Sequence, residues 1–225
     1  MDNRKIELIE SIVTYQGEGV DRGKRVLLLR FKYCDRVENK NPCPFCDTIF
    51  KMVTIKEEAY NVNDLQNIIH EEKCGLLITG GCPTFGKHFD DTLFILNNFY
   101  FPFVNVESNG YKLPELIRNV NNQTYIKYIY SPKIFNKDDL DIEKERTEKL
   151  MKYNNVYVKL VVEKNDLIIK YLDFLNTFSI SSRIFLMPEG DTQEKLLKNL
   201  PKTIELSNKY KTGFSGRDHI IYNFV

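Results

Sequence analysis

Strand-like apolar runs and amphipathic helix-like runs take turns along almost the whole chain, and this alternation restricts the fold more than any other feature. The sequence predicts strands over Ile6–Tyr15, Val26–Tyr33, Gly75–Thr79, Phe103–Glu107, Thr124–Tyr130, Val156–Val162 and Arg183–Met187. Several of these runs are apolar almost without interruption, the pattern of strands buried on both faces of a parallel sheet. Helices are expected between them, over Asn63–Glu72, Asp90–Phe99, Pro114–Val120, Asp139–Tyr153, Asn165–Phe178 and Thr192–Lys209. In the first of these Leu65, Ile68 and Ile69 share one face, and Asn63 is a candidate cap. The order βαβα argues for a parallel α/β sheet with right-handed crossovers. About six βα units are too few to close an eight-stranded barrel, so an incomplete, open barrel is expected.

A chain of 225 residues with no visible linker reads as a single domain, 1–225, and 42% hydrophobic residues suffice for its core. The 32 basic and 31 acidic residues leave a net charge of +1. That balance gives no bulk attraction to nucleic acid or acidic lipid, so neither is expected as a direct partner. The opening residues lack an apolar signal region, and no apolar run is long enough to cross a bilayer, so a cytoplasmic location is expected. Five cysteines are too few and too clustered for a secreted disulfide scaffold, and point instead to metal binding or catalysis.

In a parallel α/β sheet, ligands bind beyond the carboxyl ends of the strands. The unusual residues of this chain fall there. Cys34 follows the second strand. Thr79-Gly80-Gly81-Cys82-Pro83, Glu107-Ser108-Asn109-Gly110, Ser131-Pro132-Lys133 and Met187-Pro188-Glu189 follow later ones, and Lys159 lies within its strand. Glycine and proline at such ends also make ordinary turns. The conjunction with three cysteines, Cys34, Cys43 and Cys46, gives the set its chemical interest.

Cys46 lies three residues after Cys43, so both thiolates can point at one centre, with Cys34 brought round by the polar segment Val37–Pro44. Three thiolates can hold an iron–sulfur cluster by three of its irons and leave the fourth open for chemistry, whereas electron-carrying clusters take four protein ligands. Zinc is the competing reading. It usually wants four ligands from paired Cys or His motifs, and Cys74, Cys82, His70, His88 and His219 supply no second pair. Unrelated buried thiols are a third.

Around the cysteines stand Tyr15-Gln16-Gly17-Glu18-Gly19, Gly23, Leu28, Arg30 and Cys46-Asp47-Thr48. With the strand-end motifs above and the tail Arg217-Asp218-His219, they resemble the 7-carboxy-7-deazaguanine synthases of the radical S-adenosylmethionine superfamily. The likeness runs in order through the whole chain, with the cluster loop at 34–48. It implies the superfamily's open βα barrel, a [4Fe–4S] cluster on Cys34, Cys43 and Cys46, and S-adenosylmethionine on the open iron. It also implies a lyase reaction. A 5′-deoxyadenosyl radical takes hydrogen from C6 of 6-carboxy-5,6,7,8-tetrahydropterin, the ring contracts, ammonia leaves, and 7-carboxy-7-deazaguanine forms as a precursor of queuosine-type deazapurines. No side chain need be catalytic, because the radical arises at cluster and cofactor. A reductase or flavodoxin-type electron donor and a homodimer are further implications.

The resemblance also distributes roles. Phe45, Gly80, Gly81, Cys82, Glu107, Ser131 and Lys133 match positions around S-adenosylmethionine. The glycines lack Cβ, so their backbone can approach the methionine part. Phe45 would sit beside the adenine, though loop packing also accounts for it, and Ser-Pro-Lys is also a common turn. Gln16, Glu18, Arg30, Thr79 and His219 match substrate positions. Gln16 and Glu18 would meet the pterin's guanidine-like edge, Arg30 its carboxylate, and His219 either a substrate or a structural partner. Thr48 is the candidate Mg²⁺ ligand, and Asp47-Thr48 is alternatively a cap.

One position departs from the family. Its third strand normally ends Gly-Gly-Glu-Pro, with the Glu on the cofactor's ammonium group, and this chain has Cys82. A neutral thiol is a poor acceptor. Losing a charge-assisted hydrogen bond of about 1.5–3 kcal/mol weakens binding roughly ten- to a hundred-fold, so Cys82→Glu is expected to raise cofactor affinity. Cys82 as a fourth cluster ligand, an impaired homologue that binds pterin or a protein partner without turnover, and another radical enzyme such as a glycyl-radical activating enzyme are the alternatives.

Overall fold

A computed structural model describes residues 4–46, 48–162 and 166–224. The chain packs as two compact units: Met1–Gln16 with Lys24–Tyr128, and Gly17–Gly23 with Ile129–Val225.

The first unit holds β1 (Lys5–Leu8), β2 (Glu10–Tyr15), β3 (Arg25–Phe31), β4 (Glu58–Asn61), β5 (Gly75–Gly80), β6 (Val104–Ser108) and most of β7 (Ile126–Tyr130). Its sheet has the order β2-β3-β5-β6-β7. β3, β5 and β6 pair in parallel, and β2 lies antiparallel on β3. All residues of β5 up to Ile78 are buried, as a strand covered on both faces requires. β1 instead alternates exposed and buried and pairs antiparallel with β4 in a separate ribbon. The predicted single strand Ile6–Tyr15 is therefore two strands in two sheets, and the expected parallel sheet carries an antiparallel edge strand. The helices are α1 (Asp35–Glu38), α2 (Ile49–Thr54), α3 (Val62–Glu72), α4 (Lys87–Asn98) and α5 (Leu113–Asn119). α1 breaks into the segment expected to be loop. The cap of α3 is Asn61, whose side chain accepts the Asn63 N–H at 2.9 Å, rather than Asn63 itself. Phe31, Leu27, Leu29, Leu76, Ile78 and Leu113 fill the core, each worth about 1.5–3 kcal/mol when fully buried.

The second unit carries α6 (Lys137–Leu150), β8 (Val156–Val162), α7 (Asp166–Asn176), β9 (Ile184–Pro188), α8 (Gln193–Tyr210), β10 (Gly213–Phe214) and α9 (Asp218–Ile221). β8, β9 and β10 are consecutive and parallel. Asn136 caps α6 by accepting from the Asp139 N–H, and Thr192 caps α8 by accepting from that of Lys195. Asn165, the expected start of α7, lies outside the described residues.

Six βα steps are present among the described residues: β3–α3, β5–α4, β6–α5, β7–α6, β8–α7 and β9–α8. The strand order ends at β2 on one side and β10 on the other, so the described strands form an open, mostly parallel sheet and no closed ring. No described helix is long and apolar enough to cross a membrane.

Candidate functional site

Strand register assembles the first group of candidate residues. Glu10 stands opposite Arg30, and Arg30 opposite Thr79. Ile78 pairs with Val106, so the next position along brings Glu107 beside Thr79. Neighbours in such a row point to one face of the sheet. The Arg30 Nε donates to Glu10 Oε2 at 2.6 Å and its Nη1 reaches Thr48 Oγ1 at 3.5 Å. Lys51 Nζ donates to the other Glu10 oxygen at 2.6 Å. Burial opposes the charge on Glu10, but hydrogen bonds from Lys51 and Arg30 overcome it and lower its pKa. Gln16 Nε2 donates to one oxygen of Glu107 at 3.3 Å and Thr79 Oγ1 to the other at 3.4 Å. The structure thus brings Arg30, Thr48, Thr79 and Glu107 together near the carboxyl ends of β3, β5 and β6, and the Gln16 side chain reaches Glu107 from the Lys24 end of β3. Glu10, which orients Arg30, was not legible as a site residue because strand pairing is nonlocal.

The cysteines follow β3. Cys34, Cys43 and Cys46 are all half-buried and none is in a disulfide. The Cys46 N–H donates to the Cys43 carbonyl at 3.2 Å, closing one turn around half-buried Phe45. Burial, reinforced by the neighbouring Asp35 carboxylate, pushes the Cys34 thiol up to about 12, against the pull of the Arg36 and Val37 amides. Among the described residues no three Cys, His, Asp or Glu side chains stand together as a metal-holding group. Chemically the set fits an iron–sulfur cluster: three thiols outside any disulfide on one stretch beyond a strand's carboxyl end. For Mg²⁺, the Thr48 hydroxyl lies 3.5 Å from the Arg30 guanidinium, and Asp47 lies outside the described residues.

Behind Cys34 runs a buried polar network. Cys82 is fully buried, and its Sγ donates to Asn109 Oδ1 at 3.4 Å and lies 3.2 Å from Thr84 Oγ1. Burial, then the Asp35 charge, raises the Cys82 pKa. Asn109 Nδ2 donates to Asp35 Oδ1 at 2.7 Å, and the Cys34 thiol donates to that same oxygen at 3.7 Å. Sequence reasoning did not single out Asp35 and noted Asn109 only within a strand-end motif, since only the fold joins Asn109 to both Asp35 and Cys82.

The glycine turn has a packing reason of its own. A Cβ on Gly80 would lie 2.3 Å from the Phe31 carbonyl oxygen, and one on Gly81 2.1 Å from that of Tyr33. The Gly81 N–H donates to Phe31 O at 2.9 Å and the Cys82 N–H to Tyr33 O at 2.7 Å. These glycines let the turn hydrogen-bond the chain that leads into Cys34.

In the second unit Glu18 is engaged at both oxygens, by Lys159 Nζ at 2.6 Å and Arg217 Nε at 2.8 Å, with His219 Nε2 3.8 Å away. Burial opposes its charge, yet Lys159, Arg217 and His219 hold the carboxyl well below the usual range. His219 packs over Gly17, where a Cβ would meet Nδ1 at 2.4 Å. Ser131 Oγ accepts from Lys133 Nζ at 3.0 Å. Lys159 and Arg217 were noted in the sequence without a site role, and their pairing with Glu18 spans too many residues for local signals to report.

An open, mostly parallel sheet flanked by helices defines an α/β protein, the class in which ligands bind beyond strand carboxyl ends. No family model matches the chain, and no curated protein matches it. Among solved structures, the crystal structure of QueE from Escherichia coli is similar, with a TM-score of 0.61 and 19% identity over 96% of this chain and 95% of that chain. QueE is a 7-carboxy-7-deazaguanine synthase, the family whose motifs the sequence resembles. At this identity the likeness is one of fold.

Proposed function

We propose that the protein is a radical S-adenosylmethionine lyase that converts 6-carboxy-5,6,7,8-tetrahydropterin to 7-carboxy-7-deazaguanine. The observation that carries this reading is a coincidence. A QueE-like fold spans nearly the whole chain, and the sequence elements resembling that family recur at strand ends in the same order. Cys34, Cys43 and Cys46 would hold the cluster. When bound, the cluster and S-adenosylmethionine supply a carbon-centred radical able to take hydrogen from C6 of the pterin.

The chain's own residues bind and orient. Arg30 is held by Glu10 through Nε, and its Nη2 has no partner among the described residues. That free edge suits the substrate carboxylate. Gln16 and Thr79 fix the Glu107 carboxylate, and the Gln16 amide can shift to the pterin's guanidine-like edge. Glu18 would have to share its oxygens between Lys159, Arg217 and any ligand, so its part is chiefly to fix those two cations. The reading includes a low-potential reductase or flavodoxin-type donor and a homodimer, and assigns no step to Mg²⁺.

Anaerobic reconstitution with iron and sulfide, followed by incubation with the pterin, S-adenosylmethionine and a reductant, tests it. Mass spectrometry should find 7-carboxy-7-deazaguanine. Its absence from a cluster-loaded protein that does cleave S-adenosylmethionine would overturn the substrate assignment. The buried thiol of Cys82, standing where the family has a carboxylate, favours a second reading: an impaired homologue that binds without turnover. In that case no 5′-deoxyadenosine accumulates.

A further inference from the structure

The buried carboxylate of Asp35 is electrically incomplete. The residue is 5% exposed, and its Oδ1 is fixed by Asn109 Nδ2 at 2.7 Å. Asn109 is itself locked, because its Oδ1 accepts from the Tyr111 N–H at 3.0 Å and from the Cys82 thiol at 3.4 Å. That leaves the amide nitrogen facing Asp35. Among the described residues Oδ2 of Asp35 accepts no hydrogen bond and no Lys, Arg or His side chain pairs with the carboxylate. The described residues supply no cation to this carboxylate, and Oδ2 is left able to meet a positively charged ligand.

The same network says which ligand. One side chain, Asn109, touches both Asp35 and Cys82, so the orphan carboxylate and the thiol that stands in the family's glutamate position belong to one cluster beside Cys34. We infer that Asp35 supplies the charge missing at position 82 and receives the α-ammonium group of S-adenosylmethionine, with Asn109 as its positioning residue. This rests on the functional reading above. An ammonium group offers three N–H donors and a full positive charge, which suits an acceptor-only carboxylate. The sulfonium of the same molecule offers no donor. The earlier expectation for Cys82→Glu changes accordingly. In the wild-type background a glutamate there would set a second carboxylate against Asp35, and it restores binding only when Asp35 is neutralised.

The test is calorimetric titration of anaerobically reconstituted protein with S-adenosylmethionine and, separately, with methylthioadenosine, which has the adenosine and a neutral thioether but lacks the amino-acid end. Asp35→Asn should bind S-adenosylmethionine roughly ten- to a hundred-fold more weakly, with iron content and methylthioadenosine affinity unchanged. Adding Cys82→Glu to Asp35→Asn should recover most of the loss. Asn109→Ala, which frees Asp35 without removing its charge, should give a smaller loss confined to S-adenosylmethionine. Unchanged S-adenosylmethionine affinity in Asp35→Asn, or equal loss of both ligands in the two variants, overturns the inference and leaves the functional reading standing. A cluster-loaded wild-type protein that binds no S-adenosylmethionine overturns both.

Discussion

Two buried carboxylates show how differently the two units of this chain use charge. In the second unit Glu18 has a lysine, an arginine and a histidine around it, and both oxygens are taken. In the first, Asp35 has an amide and a thiol on one oxygen and no cation among the described residues. A carboxylate whose charge is already balanced holds structure together. One whose charge is unbalanced is a place for something to bind. Sequence reasoning singled out Glu18 as a ligand contact and did not single out Asp35.

The comparison breaks most visibly on stability. Glu18→Gln removes the carboxylate charge that faces Lys159 and Arg217, which are 4% and 8% exposed, and should cost about 3–5 kcal/mol in denaturant unfolding. A loss below about 1 kcal/mol, as for a surface pair, would mean that the cluster is not the structural lock argued here. The pH dependence carries the same signature. The folded-state pKa of Glu18 is depressed, so its contribution is present above the ordinary carboxylate value near 4.3 and drains away as pH falls below it toward the folded value. Acid titration should therefore show wild type losing stability more steeply than Glu18→Gln below about pH 4.

The glycine turn gives the next largest effect. Gly81→Ala drives a methyl into the Tyr33 carbonyl and should cost about 1–3 kcal/mol, with loss of cluster loading because the same hydrogen bonds lead into Cys34. Retained stability would show that the turn can open. A smaller effect belongs to His88, which stacks on Phe31 at 4.4 Å between ring centroids and whose ring nitrogens have no hydrogen-bond partner among the described residues. Burial lowers its pKa to about 4, so the unfolded chain takes up its proton first and folded stability falls as pH drops from about 6.5 toward 4. His88→Phe should flatten that part of the stability curve, and an unchanged slope would contradict the assignment. Smallest is Asp35→Asn in unliganded protein. Removing a charge that no described cation balances, while Asn keeps an oxygen for the Asn109 amide, should leave stability within about 1 kcal/mol of wild type or raise it, the opposite of Glu18→Gln.

What was legible in the sequence was what local pattern controls. Continuous apolar runs reported β5 and β8, and the chain order placed Cys34, Gly80 and Ser131 at strand ends before any coordinates. Pairing was not legible. Nothing in Ile6–Tyr15 marks the break between β1 and β2, since both halves are strand-like. Only the register of β2 on β3 sets Glu10 against Arg30. The cap of α3 was misplaced by two residues because Asn61 and Asn63 are equally good caps until the backbone chooses. Asp35 was invisible for the deeper reason that a missing partner can be seen only once every neighbour is known.

The central claim is a cluster held by three cysteines with one corner left for S-adenosylmethionine. The most direct measurement is electron paramagnetic resonance of the anaerobically reconstituted, reduced protein, with and without S-adenosylmethionine, beside single Cys→Ala variants at 34, 43, 46 and 82. About four irons per chain, a signal that shifts on adding S-adenosylmethionine, loss of that signal in the first three variants and its retention in Cys82→Ala are predicted. A cluster that survives removal of Cys34, Cys43 or Cys46, or one that needs Cys82 and ignores S-adenosylmethionine, would contradict the account.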